Sequence, residues 1–449
     1  MRQARTQTTS KQRIGWITAG SLVTGLVVGV ALAVAPFVPA EEGKVTGALL
    51  LGFALGWALL AWLSVRFSDQ PQRWALLPAM FMGFGGLLLL VFGSPTQGVL
   101  KWLWPPALLV LVVWMFIRSR QQLQSRSRWL LYPVFAVLLL ASIGGAYETV
   151  SGAVDPNDDP MTGELVDVGG HSLHLRCSGS GSPTVILEPG AGEMSSGLAW
   201  IEPVVAGDTR VCVYDRAGRG WSEAADAPQD ATGIATDLHT LLERGDVPGP
   251  YLLAGHSFGG LYVLTFAALY PDEVAGMVLV DSTAPASATT PAPTARGDSG
   301  SYDLPAHISA LLSSTARLGV GRLLAQSDYG SLPPQSRDET RASLATPSHL
   351  QSAIDEYLLA NASTVQAAAL TDFAGKPLVV LTAGSGSSAG WMADQDHLAT
   401  LSTNSSHRVI EGATHGGLLH DEQYAAQTTE AILDVVSSVR NGTRLVGES

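Results

Sequence analysis

The motif Gly255-His256-Ser257-Phe258-Gly259 is the most informative part of this chain, because of the residues on either side of it. An apolar run at residues 251–254 precedes it, and an apolar helical pattern over residues 261–269 follows it. A strand, a sharp turn with serine at its apex and a helix form a nucleophile elbow. The two outer glycines keep Cβ atoms out of this crowded turn, where we expect the serine in a strained backbone conformation.

A serine hydroxyl is a poor nucleophile until a base takes its proton, so the elbow predicts a histidine elsewhere in the chain. His415 ends the motif Gly412-Ala413-Thr414-His415, in the loop between the last strand-like run at 407–410 and the last helical pattern at 424–439. We therefore expect His415 to be the base, with the neighbouring His420 as the alternative.

The same chemistry predicts N–H donors for the oxyanion of a tetrahedral intermediate. One donor is expected to be the backbone N–H of Phe258, the residue after the serine. The other is expected from the loop Glu188-Pro189-Gly190-Ala191-Gly192, whose small residues allow a substrate to approach closely. The Ala191 amide is the favoured second donor.

The second half of the chain alternates strand-like runs with helical patterns, which predicts an α/β sheet with mostly parallel strands. The helical patterns are at residues 234–244, 261–269 and 424–439. The strand-like runs are at residues 164–168, 172–177, 184–187, 209–214, 251–254, 276–280, 377–381 and 407–410.

The alternation stops over residues 282–376, which predicts an insertion beside the serine. Its first part, 282–301, is a low-complexity Ala/Ser/Thr/Pro stretch, and amphipathic helical patterns follow at 308–318 and 350–359. An insertion directly after a strand end and next to a nucleophile is where a lid would sit.

Five long apolar segments fill residues 1–147 and predict an all-α transmembrane region. Most approach the ~20 residues that cross a hydrocarbon core of ~30 Å; the fourth is shorter and contains Pro105 and Pro106. Residues 148–163 are acidic and rich in turn formers, which predicts a linker to a second domain over 164–449. The segments lie at about residues 14–38, 45–65, 74–92, 102–117 and 129–146.

Lys and Arg are distributed unevenly over the predicted loops. With a cytoplasmic N-terminus, ten of them lie inside and only Lys44 and Lys101 lie outside, as the positive-inside rule requires. Five crossings then place the second domain outside the cytoplasm. Residues 1–40 as a cleaved signal peptide are the alternative, which leaves four crossings. The inside set is Arg2, Arg5, Lys11, Arg13, Arg66, Arg73, Arg118, Arg120, Arg126 and Arg128.

Charge also separates the two halves. Residues 1–150 contain 12 basic and 4 acidic side chains, whereas the remainder contains 14 basic and 35 acidic ones. The second half shows no basic patch with interleaved aromatic residues, so nucleic acid is excluded as an expected partner. A lipid bilayer is the expected partner of the first half.

Four motifs in one order give a resemblance to a known family. The elbow, the loop at 187–192, the motif Asp215-Arg216-Ala217-Gly218-Arg219-Gly220-Trp221-Ser222 and the motif ending at His415 together resemble the α/β-hydrolase superfamily, in its serine esterase and lipase-like branch. The resemblance covers about residues 164–439. It implies an eight-stranded sheet with strand order 1-2-4-3-5-6-7-8 and a triad in the order nucleophile, acid, histidine.

The triad acid is where this sequence departs from the family. Members usually carry Asp shortly after the seventh strand, but residues 383–388 here contain no carboxylate. The resemblance implies Asp281, at the end of the sixth strand, as the favoured acid. Asp396 and then Asp394 are the alternatives, and both are also placed to cap a helix.

The implied strand order places Cys177 and Cys212 on neighbouring strands. A disulfide between them is then expected, and outside the cytoplasm it would persist. Two buried free thiols are the alternative.

The expected function is a membrane-anchored serine hydrolase of the cell membrane that cleaves carboxylic esters of small molecules, lipids or thiols. Ser257, His415 and Asp281 would form its triad, and no cofactor or metal is expected. An acyltransferase of the same fold and a catalytically silent binding or sensor domain are the alternatives. The oligomeric state is left open.

Overall fold

The computed structural model describes residues 2–123, 126–154, 161–226, 228–286, 304–326 and 329–445. These residues form two compact units. The helical unit contains the described residues up to 154 together with 304–323, and the sheet unit contains the other described residues. Most of the predicted low-complexity stretch, and residues 155–160 of the predicted linker, lie outside the described residues.

Five helices of the described chain are long and apolar enough to cross a membrane, which confirms the predicted all-α region. The fifth extends into the segment that the sequence assigns to the linker. Short 3-10 turns at Arg73–Ala75 and Arg126–Leu130 separate some of them. The helices are α1 (Arg2–Ala33), α2 (Glu42–Phe67), α3 (Leu76–Phe92), α4 (Ser94–Gln122) and α5 (Tyr132–Val154).

Helix α4 continues through Pro105 and Pro106. A proline at position 105 has no N–H to donate to the carbonyl of Lys101, four residues earlier. The Thr149 hydroxyl of α5 donates to that carbonyl at 2.9 Å, and the Ser142 hydroxyl donates to the Pro105 carbonyl at 2.7 Å. A side chain of a neighbouring helix thus satisfies the Lys101 carbonyl that Pro105 leaves without its helical donor.

Glycines allow α1 and α2 to pack closely. A Cβ added at Gly25 would lie 2.8 Å from the Gly56 Cα, and one added at Gly56 would lie 2.9 Å from the Ser21 carbonyl oxygen. Both distances are too short for a side chain, so this contact depends on bare backbone, as small-residue packing between membrane helices does.

The sheet unit contains an eight-stranded sheet in the order β1-β2-β4-β3-β5-β6-β7-β8, which confirms the predicted fold class and strand order. β2 pairs antiparallel with both β1 and β4, and the other pairs are parallel. The strands are β1 (Glu164–Asp167), β2 (Ser172–Ser178), β3 (Thr184–Glu188), β4 (Val211–Tyr214), β5 (Tyr251–His256), β6 (Val274–Val280), β7 (Leu378–Ala383) and β8 (Ser405–Ile410).

Helices cover both faces of the sheet. On β3, Ile186 packs into a core with α7 and α8, whereas Val185 and Leu187 pack into a second core with α16. Successive side chains of a strand point to opposite faces, so a central strand buried on both sides is apolar throughout. The remaining helices are α6 (Glu202–Ala206), α7 (Ala231–Arg244), α8 (Phe258–Leu269), α9 (Leu304–Ser313), α10 (Val320–Ala325), α11 (Pro334–Leu344), α12 (Pro347–Leu358), α13 (Ala360–Ala367), α14 (Ala389–Ala399), α15 (Gly417–His420) and α16 (Glu422–Asn441).

The predicted disulfide is confirmed. Cys177 of β2 and Cys212 of β4 lie directly opposite each other in the antiparallel pair, and their sulfur atoms are bonded at 2.01 Å. The bond ties the antiparallel edge of the sheet to its parallel centre.

Helices α9 to α13 lie between β6 and β7, where the sequence predicts the insertion. The first of them belong to the helical unit and the later ones to the sheet unit. The insertion is therefore divided between the two units.

Candidate active site

Ser257 occupies a single-residue turn between β5 and α8. Its φ of 54° and ψ of −122° are unusual for a residue other than glycine, and such a conformation costs roughly 1–3 kcal/mol. The turn is held on both sides: the Ser257 N–H donates to the Val280 carbonyl at 3.1 Å, and the Thr283 N–H donates to the Ser257 carbonyl at 3.0 Å. The surrounding backbone therefore fixes the strained serine.

The outer glycines of the elbow make this turn possible. A Cβ added at Gly255 would lie 2.6 Å from the Gly259 carbonyl oxygen, and one added at Gly259 would overlap the Glu188 carbonyl. Strand, helix and the end of β3 can meet only because both positions lack side chains.

Asp281 and His415 are brought together by the sheet topology. Asp281 directly follows β6, and His415 lies in the loop after β8. The His415 Nδ1–H donates to Asp281 Oδ2 at 2.6 Å. The carboxylate is buried, with 3% of its side chain exposed, whereas 47% of the imidazole is exposed. One ring nitrogen is thus fixed by a buried acid.

The second carboxylate oxygen of Asp281 has partners of its own. The Trp391 indole N–H donates to Oδ1 at 2.7 Å, and the Ala383 N–H donates to it at 3.3 Å. Burial alone would raise the pKa of Asp281, but the hydrogen bonds from His415 and Trp391 outweigh it and hold the pKa below the ordinary value. Asp281 is therefore ionised and suited to stabilise an imidazolium.

The alternative acids are placed elsewhere. Asp396 is 73% exposed and accepts a hydrogen bond from His407 Nδ1 at 2.8 Å. Asp394 is exposed on the same helix, α14. His420, the alternative base, lies 3.2 Å from Glu193. The structure therefore joins His415 to Asp281, and the catalytic roles of these residues stay predictions.

His415 lies beside the residue that precedes Ser257. The His256 Nε2–H donates to the His415 carbonyl at 3.0 Å, and the two imidazole rings are 4.5 Å apart between centroids. The Ser257 hydroxyl makes no hydrogen bond to any described residue. Hydrogen bonds between catalytic groups are often long before a substrate binds and tighten in the complex.

The loop after β3 leaves one amide without an internal acceptor. The Gly190 N–H donates to Glu193 at 2.8 Å and the Gly192 N–H donates to Glu356 at 3.1 Å. Within the described chain, neither the Ala191 N–H nor the N–H of Phe258, the first residue of α8, donates to a protein group. These two amides are the predicted oxyanion donors.

Two arginines hold the loop after β3 through hydrogen bonds to its backbone carbonyls. Arg216 donates to the carbonyls of Pro189 at 2.8 Å and Gly190 at 2.5 Å. Arg219 donates to the Glu193 carbonyl at 2.9 Å. Both arginines come from the motif at 215–222, which therefore supports the loop.

The two arginines are buried with two acids. Arg216 pairs with Glu188, and with Glu356 at 2.8 Å, and Arg219 pairs with Glu356 at 2.5 Å. Burial raises the pKa of Glu188 above its ordinary value. Burial acts in the same direction on Glu356, but Arg216 and Arg219 outweigh it and lower its pKa. Glu356 is therefore the ionised partner of both cations.

Helix α12 of the insertion holds the same loop at Gly192. Glu356 accepts from the Gly192 N–H, and the His349 Nε2–H donates to the Gly192 carbonyl at 2.9 Å. Burial, together with Arg219, lowers the pKa of His349 to about 4, so its ring is neutral. The sequence did not identify these contacts, because they join positions more than 150 residues apart.

Glu193, like Glu356, is an acid next to this loop that the sequence did not identify. It lies 3.3 Å from His256 Nδ1 and 3.2 Å from His420 Nε2, and it accepts the Gly190 N–H. Burial would raise its pKa, but His256 and His420 outweigh burial and lower the pKa well below the ordinary value. A negative charge is thus fixed behind the loop. Its position directly after Gly192 is the only sequence signal.

No group of three or more His, Cys, Asp or Glu side chains suited to a metal ion occurs among the described residues. The sequence expectation of a cofactor-free site stays an expectation.

A family model described as "alpha/beta hydrolase fold" matches residues 183–421 of this chain. The match includes the elbow, the loop after β3, the insertion and His415.

Curated relatives match over shorter stretches. The chain is 36% identical over 139 residues to an uncharacterised protein of Schizosaccharomyces pombe, a match covering 24% of this chain and 26% of that protein. It is 33% identical over 104 residues to an "AB hydrolase superfamily protein" of Gibberella zeae, which covers 22% of this chain and 32% of that protein. The matches thus span about a quarter to a third of the relatives' lengths.

Among solved structures, a thermophilic esterase from Thermogutta terrifontis is 20% identical. The superposition covers 62% of this chain and 99% of the esterase, with a TM-score of 0.45.

Proposed function

Since the chain belongs to the family with the alpha/beta hydrolase fold, we propose that it is a membrane-anchored serine hydrolase that cleaves carboxylic esters, including lipid esters and thioesters. The observation that carries the proposal is the hydrogen bond between the buried Asp281 carboxylate and His415. The backbone of the strained Ser257 is hydrogen-bonded to Val280 and Thr283, on either side of that acid in the chain. Fold and family support a hydrolase, and the serine esterase chemistry is the proposed part.

The proposed reaction begins when Ser257 Oγ attacks the ester carbonyl carbon while His415 Nε2 takes the hydroxyl proton. Asp281 holds the Nδ1–H and stabilises the imidazolium. The oxyanion accepts hydrogen bonds from the Ala191 and Phe258 amides, which donate to no acceptor within the described part of the chain.

Collapse of the tetrahedral intermediate breaks the bond to the leaving alcohol, which takes its proton from His415. A water molecule then attacks the acyl carbon while His415 takes its proton. The bond from that carbon to Ser257 Oγ breaks, the oxygen takes the proton back from His415, and the carboxylic acid leaves. The exposed half of the imidazole leaves a path for that water.

We also assign the sheet unit to the outer side of the cell membrane, with a cytoplasmic N-terminus. Two independent features support this orientation: the excess of Lys and Arg in the predicted inner loops and the Cys177–Cys212 disulfide, a bond that persists outside the cytoplasm. The five apolar helices favour a membrane location on their own.

Labelling with a fluorophosphonate probe tests the catalytic assignment. We expect one probe molecule per wild-type chain, no labelling of Ser257→Ala, and labelling slowed at least 100-fold in His415→Gln. Ser437→Ala, which changes an exposed serine of α16, is the matched control and should label like wild type. Equal labelling of wild type and Ser257→Ala would reject the proposal, and a wild type inert to the probe would favour the silent binding domain.

A further inference from the structure

Residues 304–323, here called the interface segment, open the insertion and belong to the helical unit. We infer that this segment lies at the surface of the bilayer, with the outward apolar side chains of α9 inserted among the lipids of the leaflet at the carboxyl end of α5. The inference does not depend on the proposed catalytic activity, because it concerns the helical unit alone.

Two ion pairs attach the interface segment to the spanning helices. The Arg317 guanidinium contacts both carboxylate oxygens of Glu42, at 2.9 and 2.8 Å. The Arg322 guanidinium contacts both oxygens of Glu148, at 3.0 and 3.3 Å. Bidentate pairs of this kind fix orientation as well as position.

The contacts place the segment at the ends of the spanning helices. Glu42 is the first residue of α2, and His307 donates to the Val38 carbonyl at 2.7 Å in the loop between α1 and α2. Ala310 is buried with Ala33, the last residue of α1. The segment therefore lies where the hydrocarbon core gives way to the headgroups.

A glycine lets the segment approach α5 closely. A Cβ at Gly144 would overlap the Leu318 carbonyl, and Gly319 turns the chain away with a φ of 73°. Gly144 precedes Glu148 by about one helical turn, so this contact and the ion pair lie at similar depth.

Helix α9 has the burial pattern of a lipid-facing helix and not of a water-soluble one. Its large apolar side chains point outward: Leu304 is 42% exposed, Ile308 40% and Leu312 48%, at a spacing of four residues that places them on one face. Small and polar side chains fill the opposite, buried face. These are Ala306, His307, Ser309, Ala310 and Ser313.

The charges of the interface segment indicate that lipid contacts the outward face of α9. Arg317 and Arg322 are the charged side chains of the interface segment, and both are already paired with acids of the same unit. Three more apolar side chains of the segment are exposed: Leu318, Val320 and Leu323. Exposed apolar side chains in a segment whose two arginines are paired, and which is attached to spanning helices, fit the acyl boundary of a bilayer.

Lipid-quenching fluorescence tests the inference on the full chain. The two native cysteines form the disulfide, so Ile308→Cys supplies a single reactive thiol for an environment-sensitive fluorophore. The labelled protein is reconstituted in phosphatidylcholine vesicles with lipids spin-labelled near the headgroup or near the acyl end. We expect the headgroup-proximal quencher to reduce emission at least twofold and to act more strongly than the deep one.

Two control positions show the results expected for a label in contact with lipid and for a label in contact with water. Val110→Cys, at a 70% exposed site within α4, should be quenched by spin-labelled lipid, and Thr236→Cys, exposed on α7 of the sheet unit, should not be. Leu312→Cys repeats the measurement one helical turn away in case the first variant folds poorly. Labels at 308 and 312 as insensitive to both quenchers as the label at 236 would overturn the inference. So would pyrene excimers at 308, which would show that a second copy covers this face.

Discussion

Asp281 is held by two side-chain donors that come from different parts of the chain. His415 occupies one carboxylate oxygen and the Trp391 indole the other. Trp391 follows the region where family members usually carry their acid, so this chain places an indole donor near that position, and the carboxylate that His415 contacts lies at the end of β6. The sequence predicted that Asp281 replaces the usual acid, but it did not predict the hydrogen bond from Trp391. A single tryptophan in a helix gives no indication that its indole donates to a residue elsewhere in the chain.

The acid assignment predicts different results for two aspartates. Asp281→Asn should lower kcat for ester hydrolysis by roughly 10⁴-fold, the magnitude typical of losing the acid that orients a catalytic histidine. Asp396→Asn, which changes an exposed residue paired with His407, should leave kcat within about twofold, since surface pairs contribute little. Steady-state kinetics of both variants decide the matter, and a fully active Asp281→Asn enzyme would rule out the assignment.

The pKa of Asp281 also predicts a pH dependence of stability. The pKa of Asp281 is lower in the folded than in the unfolded state. The ionised carboxylate therefore stabilises the fold fully at pH values above its ordinary pKa of about 4. This stabilisation is lost as the pH falls through the lowered pKa of the folded state. The melting temperature should therefore fall below about pH 4, and by less in Asp281→Asn than in wild type. Thermal unfolding at pH 6 and pH 3 measures both differences. Identical decreases in the two proteins would contradict the prediction.

At the scale of elements, helix α12 is the part of the insertion that supports the site. Replacing Glu356 by Gln leaves two buried guanidinium groups with one carboxylate, Glu188, and breaking such a buried pair costs about 3–5 kcal/mol. We expect urea unfolding to show a free energy of unfolding that is lower than that of the wild type by about 3–5 kcal/mol. Glu243→Gln, at an exposed site on α7, should change the free energy of unfolding by less than about 0.5 kcal/mol. An equally small loss in Glu356→Gln would show that the buried pair is not held as described.

The sequence predicted the strands and their order but not these contacts. Strands at 251–254 and 276–280 can be predicted from their own residues, because each is an apolar run bounded by turn formers. The pairing of Arg216 with Glu356 depends instead on how the insertion folds back over the loop. Nothing within either segment indicates that partner, so a prediction from local pattern could not find it.

At the scale of the whole molecule, the charge asymmetry predicts the orientation in the membrane. A membrane-impermeant maleimide applied to intact cells should label Thr236→Cys in the sheet unit and leave Gln121→Cys, at the end of α4, unlabelled until the cells are opened. Both positions are exposed, so access depends on the side of the membrane. The reverse labelling pattern would contradict the proposed topology.

The division into a helical and a sheet unit was visible in the sequence, because long apolar segments and β/α alternation are separate patterns. That residues 304–323 belong to the helical unit was not visible. The sequence assigns them to a lid over the second domain, since position along the chain says nothing about an attachment made by Arg317 and Arg322 to distant acids.

The most direct test of the central claim is to trap the acyl-enzyme. A p-nitrophenyl ester is added, the protein is quenched in acid within milliseconds, and peptides are analysed by mass spectrometry. We expect one acyl group per chain on Ser257 and none on Ser257→Ala, together with the loss of ester turnover in that variant. Turnover that persists in Ser257→Ala, or an acyl group carried by another residue, would contradict this claim.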